Sequence, residues 1–202
     1  LVEVEPDLAE RWETSADGLD YTFHLRHGVT THNVAPANGR ELTSEDVQLS
    51  LERYRGGGSQ TDVLAGVTAI ESPDKYTVRI NATVPDATLP ISIMRYPIVL
   101  MAPDAFETSA ERPIGTGPFK FVSWTRWSET RLVRFENYWE TDAEGHSLPY
   151  LDEIIAKPKR EDSVRLTALR TGQVQLIDDM AQADVERFMK EHGTKYNTWR
   201  WH

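Results

Sequence analysis

The sequence predicts a mixed α/β (α+β) fold in which sheets are flanked by helices. Two stretches alternate apolar and polar residues with a period of two, as half-buried strands do. In one, Tyr21, Phe23 and Leu25 alternate with Thr22, His24 and Arg26; in the other, Tyr76, Val78 and Ile80 alternate with Thr77, Arg79 and Asn81. Between them, Val47, Leu51 and Tyr54 recur at helical spacing. After them, segments with helix start and stop signals follow further strand-like runs.

In chain order, "LAERWETS" and "YTFHLRHG" flank "ADGLD", whose Asp17-Gly18 is a common reversal signal, so residues 8–28 predict an antiparallel hairpin. His24 and His27 near its end read as solvent-facing or packing residues rather than metal ligands. The loop "VTTHNVAPANGREL" leads to a helix start at Thr43. Asp46, three residues on, is placed to reach back to the cap and favours the positive end of the helix dipole. Gly56, Gly57 and Gly58 predict the helix end; without a following Lys-Ser/Thr they are not a phosphate loop. "VLAGVTAIESPDKYTVRINATVP" predicts two strands around a turn at Ser72-Pro73-Asp74. Asp86 to Met94 reads as a short helix despite Pro90, followed by the extended run "YPIVLMAP" and a turn near Pro103.

The stretch from Arg112 to Glu140 joins a glycine-rich turn to two strand-like runs and ends on aromatic residues. Gly115 and Gly117 are expected to adopt backbone geometries closed to other residues, and Pro118 to fix the strand entry. Trp124 and Trp139 are expected in the core and Trp127 in an exposed turn. "LPYLDEIIAKPK" predicts a strand, and "REDSVRLTALRTG" a helix with Gly172 as its stop. "ADVERFMKEHG" predicts a second helix with an apolar stripe of Val185, Phe188, Met189 and His192 and a left-handed stop at Gly193. "KYNTWRWH" reads as a last strand with Trp199 and Trp201 on one face.

The composition narrows the function classes. At 202 residues, one substantial core or two modest ones can form. A net charge of -10, with both halves acidic, argues against nucleic acid as a partner, because phosphates require a basic face. The absence of cysteine removes disulfides, thiolate metal sites and thiol nucleophiles. No apolar run is long enough to span a bilayer. The chain opens on "LVEVEPDLAERWE" without Met, so Leu1 is not expected to be the native start, and an export signal is expected upstream. No catalytic or cofactor motif stands out. Glu41, Glu45 and Asp46 read as helix-start residues rather than paired catalytic acids.

The order of these segments resembles the family 5 extracellular solute-binding proteins, which serve peptide, dipeptide, nickel and related ABC importers. The resemblance runs colinearly through "PDLAERWETSADGLDYTFHLRHGV", "NGRELTSEDVQLSLERY", "IESPDKYTVRI", "PIGTGPFKFVSW", "VRFENYWE" and "LDEIIAKPKREDSVRLTALRTGQV". The chain departs from the family pattern in the long loop carrying His32 and Asn33, and at Gln175, where members often have Asp.

The resemblance implies a class II periplasmic-binding-protein-like fold, present here in two parts. Residues 1–102 would correspond to most of the family's second domain, and 103–202 to the central portion of its first. The leading strand of the first domain and the large third domain, which would form the opposite wall of the cleft, would lie outside this sequence. It also implies an extracytoplasmic protein, periplasmic or on the cell surface, possessing no cofactor. That protein would capture an oligopeptide or related small solute and deliver it to a membrane permease without chemical turnover. Position in that architecture nominates Tyr54, Ser59, Gln60, Tyr96, Trp199 and Trp201 as ligand-facing residues. Two alternatives belong to other classes: a sensor or docking protein that kept the binding fold, and a hydrolase using carboxylates such as Glu41 and Asp46.

Overall fold

The computed structural model describes residues 5–56, 61–94, 99–178, 180–193 and 195–197. Gly18, at φ 73°, closes the first hairpin between β1 (Ala9–Thr14) and β2 (Asp20–Leu25). Its antiparallel register pairs Trp12 with Phe23 and Thr14 with Tyr21. β3 (Val67–Asp74) and β4 (Thr77–Ala82) complete a four-stranded sheet in the order β1-β2-β4-β3. Alternation does what it predicts: Tyr21 lies opposite Ile80 and Phe23 opposite Val78, and Tyr21, Val78 and Ile80 are each 1% exposed. The Tyr21 hydroxyl accepts the Asp86 N–H at 2.9 Å, so burial of its oxygen is compensated.

The expected turn at Ser72-Pro73-Asp74 is instead the end of β3, and the chain reverses at Lys75-Tyr76. Proline is tolerated there because β3 is an edge strand and its register shifts between Glu71 and Asp74. Tyr76 is therefore in the turn, where its ring stacks on His27 at 3.8 Å.

Helix α1 (Ser44–Arg55) packs on β3 and β4 through Val47 and Leu51. Asp46 accepts the Thr43 N–H at 2.8 Å and the Thr43 hydroxyl at 3.1 Å, as the spacing predicts. Asp46 is only 4% exposed and needs a cation. Arg40 supplies it through two bonds, of 2.8 and 2.6 Å, and extends to Asp104 at 2.9 Å. The Asp46 hydrogen bond, followed by that to Asp104, holds the guanidinium pKa above its ordinary range. Gly56 ends the helix at φ -75°, and residues 57–60 lie outside the description. α2 (Leu89–Met94) starts later than expected, because Asp86 forms a turn by accepting the Thr88 N–H at 2.8 Å.

Residues 29–42 form a closed loop. Thr31 N–H bonds Arg40 O and Leu42 N–H bonds Val29 O, each at 2.8 Å, and Thr31 and His32 are buried. His32 is the anchor of the glycine-rich turn. Its backbone N–H donates to Gly115 O at 2.8 Å, its Nε2 lies 3.0 Å from Gly117 O, and its Nδ1 lies 3.4 Å from Gly115 N. The neutral imidazole with hydrogen on Nε2 satisfies both ring contacts. Its edge also meets the ring of buried Phe135 at 5.2 Å. The glycines do not meet the backbone expectation: neither has a positive φ, and a Cβ on Gly117 would meet nothing within 4 Å. What the motif gives His32 is backbone polar groups.

The run at 99–102 is irregular rather than extended into a strand, and a 3-10 turn follows at Pro103–Ala105 as expected. The second sheet, in order β5-β6-β7, contains β5 (Phe119–Thr125), β6 (Glu129–Arg134) and β7 (Glu153–Ala156). Trp124 is 57% exposed, against expectation, because β5 projects beyond the packing around its first residues and Val122–Thr125 are all exposed. Trp139 packs partly buried against the first core, with Arg26 4.3 Å over its ring.

Helix α3 (Asp162–Arg170) is followed by Gly172 at φ 75°, the expected left-handed stop. α4 (Gln182–His192) ends differently: Gly193 has φ -58°, a right-handed conformation. The α4 stripe faces inward but is only half-covered; Phe188 meets His192 at 4.8 Å and Tyr196 at 5.0 Å. Residues 195–197 are not a strand, and the rest of the expected terminal strand falls outside the described residues.

By compactness the described residues form two units, one of 5–125 with 130–156 and one of 126–129 with 157–197. The first runs through 102–103, where Ala102 N–H bonds Ile114 O at 3.1 Å and Ala37, Ala102, Ala105 and Ile114 form a small core.

Two predictions follow from the buried polar groups. Replacing Arg40 by Met should destabilise the protein by about 2 kcal/mol, less than the ~3–5 for a fully buried pair because the Arg40 side chain is 37% exposed. Thermal denaturation should show the midpoint falling by roughly 4–8 °C; an unchanged midpoint contradicts the role of the pair. Burial, which outweighs the Gly117 carbonyl's opposing effect, holds the His32 pKa below 6.5. A depressed folded-state pKa means the unfolded chain takes up the proton first, so this stabilisation is complete above pH 6.5 and is lost as pH falls through the folded-state pKa. NMR titration should find the His32 midpoint below 6.5, and a midpoint at or above it contradicts the neutral buried imidazole.

Candidate functional site

Helix α1 carries two hydroxyls one turn apart toward the irregular segment after α2. Ser50, 1% exposed, donates to Met101 O at 3.0 Å and accepts the Met101 N–H at 3.2 Å. Tyr54 packs its ring against the first core and accepts the Val99 N–H at 3.0 Å. Tyr54 is thus the one sequence-nominated ligand residue among those described, and it holds backbone in place. Ser59, Gln60, Tyr96, Trp199 and Trp201 lie outside the described residues. The helical spacing of Ser50 and Tyr54 is legible in the sequence, but their partners, 51 and 45 residues away respectively, are not.

The carboxylates considered for hydrolysis are engaged elsewhere. Glu41 accepts from Lys75 Nζ at 2.5 Å and from the Gly28 N–H and the Tyr76 hydroxyl at 2.9 Å each. These partners, Lys75 first, lower its pKa to about 2, so it is an anion at neutral pH and no proton donor. Asp46 is occupied by Thr43 and Arg40. A hydrolytic pair needs a carboxyl that retains its proton and a base with an open lone pair facing substrate, and this corner provides neither.

The histidines near the first hairpin diverge in role. His24 Nε2 lies 3.2 Å from Glu13 across the strands, while His27 stacks on Tyr76. Ligand-type atoms do converge at Asp142, Glu144 and His146, within 4.8 Å of one another. There Asp142 accepts the N–H groups of Glu144 and His146 at 3.0 and 2.7 Å, lies 2.9 Å from His146 Nδ1, and accepts the Tyr150 hydroxyl. The Tyr150 bond leads in lowering its pKa. These bonds use the carboxylate to shape the β6–β7 turn, in which Gly145 has φ 86°.

The unit of 126–129 and 157–197 carries two concavities. One, of about 390 Å³, lies between α3 and α4 and is lined by residues including Asp162, Arg170, Arg187, Phe188 and His192. The other, of about 690 Å³, is bounded by Trp127, Lys157, Pro158, Lys159, Arg160, Arg165 and Asp178. Trp127 stands at the β5–β6 turn with φ 61° and is 68% exposed, as its turn position predicted. Arg160 places its guanidinium 5.2 Å from the indole centroid. The sequence signal for this second concavity is the basic run Lys157-Pro158-Lys159-Arg160, which lies where a predicted strand meets a predicted helix.

Comparison with known proteins places this fold. Residues 3–200 match the family described as bacterial extracellular solute-binding proteins, family 5 Middle. The dipeptide-binding protein of Escherichia coli (strain K12) is 29% identical over 213 residues, covering 94% of this chain and 39% of the relative. Heme-binding protein A of Haemophilus influenzae is 30% identical over 201 residues, covering 87% and 35% respectively. Among solved structures, the ABC transporter-associated periplasmic binding protein DppA from Helicobacter pylori, in complex with the peptide STSA, matches with a TM-score of 0.75 and 31% identity over 93% of this chain and 40% of that one. The chain thus spans well under half the length of these relatives. No helix among the described residues is long and apolar enough to cross a membrane. With a family match that runs nearly end to end, the chain belongs to the bacterial extracellular solute-binding proteins of family 5.

Proposed function

We infer that these residues are part of an extracytoplasmic solute-binding component of an ABC importer, one that captures an oligopeptide or related small solute and delivers it to a membrane permease. The observation that carries this reading is the likeness to the peptide-bound Helicobacter pylori protein, with a TM-score of 0.75 and 31% identity over 93% of this chain. The relative named as a dipeptide-binding protein supports the same solute class.

In this reading, residues 1–102 supply most of the family's second domain and 103–202 the central portion of its first. The solute is held in a cleft and buried as the domains close. Tyr54, Ser59, Gln60, Tyr96, Trp199 and Trp201 contribute aromatic faces and hydrogen-bonding groups to this cleft. Capture is reversible and involves no bond cleavage. The engagement of Glu41 and Asp46 in structural bonds supports a binding role over hydrolysis. The protein works outside the cytoplasm, and the permease is its membrane partner.

Isothermal titration calorimetry of the full-length protein against a library of short peptides tests the reading. At least one peptide should bind with one-to-one stoichiometry, whereas failure of every peptide overturns the peptide assignment.

A further inference from the structure

The concavity beside Trp127 is a concentration of positive charge on a protein of net charge -10. Among the described residues, four cations, Lys157, Lys159, Arg160 and Arg165, border about 690 Å³, and Asp178 is the one carboxylate in the lining. Two of these cations have anionic neighbours: Arg165 bonds Asp162 at 2.6 Å, and Lys157 lies 4.0 Å from Glu129. Lys159 and Arg160 have no ion-pair partner among the described residues, and Arg160 lies instead over the Trp127 ring.

Several cations around one opening raise the local positive potential, and a concave wall focuses that potential on an anion. The guanidinium groups offer directional forks to carboxylate or phosphate oxygens, and the ammonium groups offer point charges. Trp127 adds an apolar face against which the body of a ligand can lie, with its ring already polarised by Arg160. The volume suits a small molecule rather than a chain. Asp178 keeps the lining from being uniformly positive and adds a hydrogen-bond acceptor to it.

We propose that the Trp127 concavity is a binding site for a small polyanion bearing two or more carboxylate or phosphate groups. None of the residues nominated for the solute cleft is among the described residues that line it, and the proposal stands independently of the peptide assignment. Charge and geometry leave the carboxylate and phosphate sources to be distinguished by titration.

Calorimetric titration of the purified protein with citrate and, separately, with pyrophosphate tests the proposal. At least one should bind, and the Lys159→Gln/Arg160→Gln double variant should bind it at least about tenfold more weakly. A control variant, Arg11→Gln/Arg53→Gln, loses the same charge from the other compact unit and should retain affinity within about twofold. Asp178→Asn, which removes the negative charge that repels an anion, should bind more tightly. All four substituted positions in the two double variants are on the exposed surface, and an unchanged thermal midpoint confirms that folding is intact. Stronger binding of citrate identifies a carboxylate site and stronger binding of pyrophosphate a phosphate site. Failure of both anions to bind, or equal weakening by the two double variants, overturns the proposal.

Discussion

The compensation of one buried carboxylate organises much of the first compact unit. Asp46 sits at the start of α1 with 4% of its surface exposed, where an uncompensated charge is strongly unfavourable. It is compensated twice, by the Thr43 cap and by the Arg40 fork. Because Arg40 also reaches Asp104, the same charge network fixes the loop of 29–42, the start of α1 and the turn after residue 102 to one another. The loop thus positioned carries His32, which grips the backbone of the glycine-rich turn at Gly115 and Gly117. That turn in turn leads into β5, so the second sheet takes its starting point from a chain of polar contacts that begins at Asp46.

What could be read from the sequence follows the range of each interaction. The alternation of Tyr21, Phe23 and Leu25, the Thr43–Asp46 spacing and the Gly172 stop are local patterns, and each produced the expected element. The structure departs from the local pattern where a nonlocal partner decides the outcome. Ser72-Pro73-Asp74 carries turn chemistry, yet at a sheet edge the missing proline N–H is harmless and β3 continues through it. Gly115 and Gly117 suggested special backbone angles, but their role depends on His32, which is 85 residues from Gly117. Trp124 looked like a core residue because of its size, although the end of β5 on which it stands is not covered by described residues. The candidate site was less legible. Tyr54 was nominated for a cleft and is seen bonding backbone at Val99, while the basic concavity joins a turn at Trp127 to a run 30 residues later that no local pattern links to it.

On the proposed reading the protein holds rather than transforms its ligand, and the chemistry of the described carboxylates accords with it. The carboxylates that might have served hydrolysis are committed to the hydrogen-bond networks that shape the fold, and Glu41 remains ionised well below neutral pH. The unit containing α3 and α4 presents a different surface, with a positively charged concavity beside an exposed indole.

Native mass spectrometry of the full-length protein mixed with short peptides tests capture without turnover most directly. The account predicts a protein–peptide complex from which the peptide is recovered at unchanged mass after prolonged incubation. Recovery of cleaved peptide, produced in proportion to protein and time, would contradict it.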